Sequence, residues 1–234
     1  MTTSTKTRTR MRERVDDLIA HFDEYVDYLD QHEKAFVGPS VYFHGKTLAL
    51  RKASGSASEL LEREDFFDYL YATLTAWGLH RMGPSKAKLV DIEKLKASLK
   101  SQCAQIQALW ALSLSGLAAN ELGHVTEQLC GILSRLEVSI ARARLVANSK
   151  ALHHVLPALT PPIDRTYTYT FFYSRNGLGS LAEADAFAEI YTQFHRIALT
   201  RKAEIHSRIG KGFHTSETKV IDNAIVGYVR KRLR

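Results

Sequence analysis

Two adjacent prolines, Pro161 and Pro162, constrain the last third of this chain more than any other feature. Each fixes its own φ, lacks an N–H and pushes the residue before it toward extended geometry. A helix through Leu152, Val155 and Leu156 must therefore end before them, and the chain must turn. Asp164 then stands where a helix N-cap stands, with Tyr167 and Phe171 one and two turns further on. Such an Asp reads first as a cap after a turn. It also reads as a rigidly held carboxylate at a helix mouth, aimed at a ligand.

Elsewhere the apolar residues recur at helical spacing. Val15, Leu18, Ile19, Phe22, Val26 and Leu29 make one stripe that ends before Gly38-Pro39. Ser40–Lys52 fits a hairpin or a Gly-interrupted helix, with helix the better fit, and Ala53–Ser58 is linker-like. A helix from Leu60 to Trp77 buries Phe66, Phe67, Leu70 and Leu74 and stops at Gly78. The connection Trp77–Pro84 puts large side chains between two glycines, and burial explains Trp77 and Met82 more cheaply than ligand contact. Further helices are expected at Asp91–Leu112 and Glu121–Leu136, with two short ones in Val138–Leu156 broken near Asn148-Ser149. The alternation Thr166-Tyr-Thr-Tyr-Thr170 favours a strand, but a lone strand lacks a partner and the Pro-Pro-x-Asp entry favours a helix over Arg165–Tyr173. A capping box at Ser180–Glu183 opens a long helix to Arg208. Thr215 or Ser216 caps the last helix, with Val220, Ile221, Ile225 and Val229 inward. The reading is an all-α protein of about nine helices of ordinary length.

At 234 residues the chain can build a substantial core. It has no apolar run long enough for a transmembrane helix and no secretory h-region at its N-terminus, so no membrane association is expected. Cys103 and Cys130 both sit in apolar helical patterns, which reads as buried thiols in the reducing cytoplasm. The net charge of +7 is concentrated at the ends. Residues 1–14 carry five basic side chains and one acid, and residues 230–234 carry four basic side chains. Residues 15–33 hold seven acids and no Lys or Arg, whereas residues 135–175 hold six basic residues against two acids. Solvated faces and a basic tail account for much of this, but the basic segment surrounds Asp164. The expected organisation is a disordered basic arm at 1–14 and a single all-α domain over 15–234, with lobes formed by 15–52 plus 176–234 and by 59–175.

No phosphate loop, dinucleotide fingerprint or nucleophile elbow is present. His153 and His154 are adjacent, so on a helix they point about 100° apart and chelate poorly. No Cys/His spacing matches zinc, and neither metal nor cofactor is expected. Arg201-Lys-Ala-Glu-Ile-His206 matches the R-x4-H pattern of HEPN-type ribonucleases, in which Arg and His on one helical face act on RNA. Lys219-Val-Ile-Asp222-Asn223 is polar on an otherwise apolar helix, and Asp222 reads as a tie to the core.

The region from Phe66 to Phe172 resembles the helix-hairpin-helix DNA glycosylases more specifically. Asp65–Trp77 followed by Lys86–Leu99 is similar to their early helical segment, Leu136–Leu156 sits where their hairpin lies, and Pro162-Ile163-Asp164-Arg165 looks like their catalytic entry. Leu136–Leu156 departs from the family in having no glycine. The resemblance implies two helical lobes flanking a cleft and a monomer acting on double-stranded DNA. Asp164 would be the catalytic carboxylate, stabilising oxocarbenium charge on the sugar and orienting water. Arg142, Arg144, Lys150, Ser149 and Arg165 would contact DNA, with Tyr167, His153, His154 and Trp77 near the pocket for the flipped base. Lys150 lies closer to the Asp than the family's Schiff-base lysine, which implies a monofunctional enzyme leaving an abasic site. Overall, the chain looks like a divergent bacterial anti-phage group that excises glucosylated hydroxymethylcytosine. A non-enzymatic helical nucleic-acid-binding module using the basic ends is the other alternative to the ribonuclease.

Overall fold

The computed structural model describes residues 5–32, 38–80 and 88–233. Among them are thirteen α-helices and no strand; Leu89 and Ser139 form one isolated bridge. The part of the Trp77–Pro84 connection that contains Met82 lies outside the described residues.

The N-terminal stripe folds as two helices, α1 (Thr5–Ala20) and α2 (Phe22–His32), broken at His21, whose ring nitrogen Nδ1 lies 2.9 Å from the Asp17 carboxylate. Residues 5–14, read from composition as a disordered arm, therefore begin α1: Met11 is buried, and Arg14 donates at 2.7 Å to the carbonyls of both Thr170 and Phe171. α3 (Pro39–Ala53) begins with proline at its first position, where the missing N–H costs nothing. Ala53–Ser58 is a tight turn rather than a linker, since Ser54 and Ala57 are buried and the Ser56 hydroxyl caps α4 (Ala57–Leu61). α5 (Glu64–Leu74) runs into a π turn at Thr75–Leu79, which ends its helical course at Trp77 and at Gly78 in the left-handed region (φ 82°). Asp91 caps α6 (Ile92–Lys100), and a break at Ser101-Gln102 separates it from α7 (Cys103–Leu109).

α8 (Leu122–Arg135) and α9 (Leu145–Val155) are joined by an irregular segment, so the first of two short helices expected in Val138–Leu156 does not form. Asn148 explains why. Instead of starting a helix it lies inside α9, fully buried, and its Nδ2 donates at 2.8 Å to the carbonyls of Leu133 and Leu136 while Oδ1 accepts from the Val138 amide at 3.3 Å. It thus satisfies backbone groups that the end of α8 leaves open. Asn148→Ala is expected to lower the unfolding free energy by about 2 kcal/mol, because buried backbone groups lose their partners. A denaturant titration checks this, and an unchanged midpoint would remove Asn148 from that role.

A π turn at Arg165–Tyr169 leads into α10 (Thr170–Tyr173). α11 (Glu183–Thr200) and α12 (Lys202–Arg208) are separated at Arg201, and α13 (Glu217–Arg232) follows the Ser216 cap. The expected single helix to Arg208 is thus two, and Glu183 does not close a capping box with Ser180. α13 packs along α2, α1 crosses α10, and α11 rests on α8. α3 lies along α5 and on α9, so it belongs with the middle helices and not with the N-terminal segment. α9 sits at the centre, buried without interruption from Ala147 to Val155.

Of the basic C-terminal run, Arg230, Lys231 and Arg232 are part of α13 and not a tail. Lys231 pairs with Glu24 at 2.7 Å, Arg232 donates to the Tyr25 hydroxyl at 3.1 Å, and Arg208 bridges Asp23 and Asp27. Much of the charge segregation seen along the sequence is thereby cancelled between α2 and the C-terminal third. Cys103 and Cys130 are free thiols and half-buried. Among the described residues, no helix is long and apolar enough to cross a membrane.

Candidate active site

The approach to Asp164 is fastened to α9. The Ser149 hydroxyl accepts the Ile163 amide at 3.1 Å and donates to the Val146 carbonyl at 3.2 Å, which docks the proline segment on the helix. Asp164 is extended, and its Oδ1 accepts from the amides of Thr166 (2.7 Å) and Tyr167 (3.1 Å). Its own amide donates to Thr168 Oγ1 at 2.9 Å, so cap and first turn hold each other. Its carbonyl accepts from the Tyr169 amide, the wide spacing of the π turn. Oδ2 faces the Lys150 ammonium at 3.3 Å. One oxygen is spent on the helix mouth and the other on the ammonium; the side chain as a whole is 31 % exposed and borders a cavity.

That cavity measures about 320 Å³ and is bordered by Trp77, Lys150, Asp164, Tyr167, Lys219 and Asp222, among others. The ammonium groups of Lys150 and Lys219 both lie 5.8 Å from the centroid of the Trp77 indole, within cation–π reach. Lys150 also reaches the Trp77 carbonyl at 3.5 Å. The Tyr167 hydroxyl accepts from Arg230 at 2.7 Å and 3.2 Å, which ties the rim to α13. Lys219 and Asp222, three apart on α13, form a second ion pair at 2.5 Å. Burial pushes the Asp222 carboxyl up, the Lys219 ammonium pulls it down, and the nearby Asp164 pushes it up again.

Behind Trp77 lies a buried histidine cluster. His154 Nδ1 is 2.7 Å from the Lys150 carbonyl, which can only accept, so Nδ1 carries the proton. His154 Nε2 then accepts from His44 Nδ1 at 2.9 Å, and His44 Nε2 accepts from the Thr215 hydroxyl at 2.8 Å. The chain Thr215–His44–His154–Lys150 carbonyl thus has one direction and three neutral-state bonds. His153 sits beside it and bonds the Thr160 carbonyl at 2.9 Å. Burial, reinforced by the neighbouring rings and by Lys219, drives His44 far below its ordinary value; burial drives His153 down likewise and lowers His154 to about 4.

The residues expected at the site are therefore only partly brought together. Asp164, Lys150, Tyr167 and Trp77 share the cavity. Ser149 is buried and positions Ile163 rather than meeting DNA. His153 and His154 are fully buried behind Trp77 instead of lining the cavity. Arg142 and Arg165 are exposed. The Arg144 guanidinium lies 3.7 Å from Glu137, while the amides of Arg144 and Leu145 donate to Glu183 at 3.2 Å and 3.1 Å. The N–H groups that open α9 thus already face a carboxylate. Arg201 donates to the Ile19 carbonyl at 2.6 Å and pairs with Glu204 at 2.7 Å, and the helix break at Arg201 separates it from His206 on α12. What sequence reasoning missed is the cavity position of Lys219 and Asp222, although polar residues on an apolar helix were the visible signal.

Comparison with known proteins returns no matching family model, no matching curated protein and no matching solved structure.

Proposed function

We propose that this chain is a monofunctional DNA glycosylase of helix-hairpin-helix-like layout, with Asp164 as the catalytic carboxylate. The observation that carries the reading is the division of labour at Asp164: Oδ1 serves the cap, Oδ2 faces an ammonium, and the side chain borders a cavity. Breaking an N-glycosidic bond develops positive charge on deoxyribose, and a fixed carboxylate at that point stabilises it without reorganising. The same oxygen orients and deprotonates the attacking water. Trp77 and Tyr167 supply flat apolar surface for a flipped base, and the exposed Arg142 and Arg165 supply charge for duplex phosphates. The two helical groups would act as lobes flanking a DNA cleft, with the protein working as a monomer. A cavity of about 320 Å³ lies at the low end of the range for small-ligand sites, enough for one base. The substrate we favour is glucosylated hydroxymethylcytosine of phage DNA, whose sugar would have to project through the cavity mouth. The commitment of Arg201 to α1 carbonyls favours this site over the R-x4-H pair.

The test is single-turnover base release from duplex DNA carrying that base, alongside a panel of other modified bases. Wild type should leave an alkali-labile abasic site without cutting the strand. Asp164→Asn should lower the rate by at least about 10²–10³-fold. It should remain folded, because Asn caps a helix about as well as Asp. A folded and equally active Asp164→Asn would remove the assignment. RNA cleavage lost in His206→Ala but kept in Asp164→Asn would favour the ribonuclease.

A further inference from the structure

We infer that Lys219 is a second catalytic residue of this cavity: its ammonium, held in place by Asp222, donates to the departing base and stabilises the negative charge that the base acquires. The inference rests on the glycosylase reading above.

Heterolysis of an N-glycosidic bond separates charge. The sugar becomes cationic, and the electron pair of the broken bond leaves with the base nitrogen. A carboxylate answers only the first half of that demand. The second half needs a positioned donor on the side of the base, in a site poor in water. Lys150 does not meet it, because its ammonium sits against Asp164, on the side of the sugar. Lys219 borders the same cavity and lies as close to the same indole ring.

Exposure separates Asp164 from the other three charged groups, since Lys150 is itself only 9 % exposed. The Asp164 side chain is 31 % exposed, whereas those of Lys219 and Asp222 are only 6 % and 8 % exposed. The sugar stays joined to the DNA backbone and so remains at the mouth, beside Asp164. The base is the part of a flipped nucleotide that reaches the floor, beside Lys219.

A purely structural role accounts poorly for the pair. Its neighbours on α13 include Val220, Ile221, Ala224 and Ile225, all fully buried, beside the buried polar Thr218 and Asn223. A buried ion pair in such company adds little stability over apolar residues of similar size. This pair also borders open volume instead of closing it.

The step balances without a further reactant. The bond between the base nitrogen and C1′ breaks, and its electrons go to the base. Water oxygen bonds C1′, and the water proton passes to the Asp164 carboxylate and on to solvent. The base, released as an anion against Lys219, takes up a proton from solvent. The sum is nucleoside plus water giving abasic sugar plus free base.

The test pairs a rate with a binding measurement on the full chain. Lys219→Met alone leaves Asp222 buried without its partner and is open to misfolding, so the main variant is Lys219→Met/Asp222→Asn, which removes both charges together. Single-turnover base release should fall about 10²–10³-fold. The melting temperature should stay level or rise. Affinity for a duplex carrying a cationic azasugar in place of the nucleotide, which presents the sugar charge but no base, should be unchanged in this variant and lost in Asp164→Asn. Retained base release in the double variant would overturn the inference while leaving the glycosylase reading intact. Azasugar affinity falling in step with the rate would also overturn it, since that marks a collapsed site. If wild type releases no base from any substrate in the panel, both readings fall.

Discussion

Gly227→Ala is expected to lower the unfolding free energy by at least about 3 kcal/mol, at the top of the usual range for overpacking. The sign is not obvious from sequence, because alanine is the better helix former by about 1 kcal/mol. The packing of α13 on α2 decides it. A Cβ on Gly227 would fall inside the van der Waals envelope of the Tyr25 carbonyl oxygen and 2.9 Å from the carbonyl carbon. Both atoms belong to the backbone of α2, so no side chain can swing aside. The two helices must separate, and that strips apolar contact from Phe22, Val26 and Ile225 on both sides. Against a total stability of about 5–15 kcal/mol for an ordinary domain, such a loss is severe. A urea titration of wild type and variant reads it directly, and a midpoint that rises would show that the helices are not in backbone contact. Because α13 also carries Lys219, Asp222 and Arg230, the variant should lose site function in proportion to its displaced helix, not through any chemistry of its own.

That glycine shows which parts of the fold were legible. The apolar stripes of α5, α8 and α13 are local properties of their segments, and the helices form where the stripes lie. The proline turn and the Ser216 cap are local too. The helix breaks at His21, Ser101-Gln102 and Arg201 were not legible, because the apolar periodicity continues across them and none contains proline or glycine. At Arg201 the break is made by a distant partner: the guanidinium turns to cap the end of α1 at Ile19 and Ala20. A break that coincides with a contact some 180 residues away leaves no trace in its own pattern. The basic ends failed as signals for the same reason. Lys231 and Arg232 look like a tail until α2 is laid beside them.

The site divides along the same line. Asp164 was legible because everything that makes it unusual is within four residues: the prolines before it, the amides of Thr166 and Tyr167, and the Thr168 hydroxyl. Lys150 was named for its place in the chain, and its approach to the carboxylate needed only the turn between them. The pair Lys219–Asp222 was visible as an anomaly, two charges on an apolar helix, but what it faces is set by how α13 docks on the π turn. Ser149, His153 and His154 were placed near the right neighbourhood and on the wrong side of α9, since a helix buried on all faces gives periodicity nothing to distinguish.

That buried face also predicts a steep loss of stability on mild acidification. His44, His153 and His154 are held neutral by burial, each well below the ordinary value of 6.5, with His154 at about 4. The sign follows from linkage. In the unfolded chain these rings take up protons as pH falls through about 6.5. In the folded chain they do not, so the unfolded state binds more protons and stability drops as pH drops. The contribution is complete above the unfolded value; for His154 it is spent by about pH 4, and for the other two it continues lower. Each neutral histidine costs about 1.4 kcal/mol per pH unit within its window. Asp222 works in the opposite sense, since its raised carboxyl gains a proton first in the folded form, but one group does not offset three. The carboxylates held low by surface cations, such as Glu64 and Glu137, act only below their ordinary value of 4.5, so the histidines dominate the interval from pH 6.5 to 5. Unfolding free energy measured by urea titration should fall by several kcal/mol over that interval. In the His44→Leu/His154→Leu double variant, which removes two of the three rings, the slope should be about one third as steep. A wild-type profile flat from pH 7 to 5 would mean that the rings are hydrated in solution, and the directed chain from Thr215 to the Lys150 carbonyl would have to be abandoned with them.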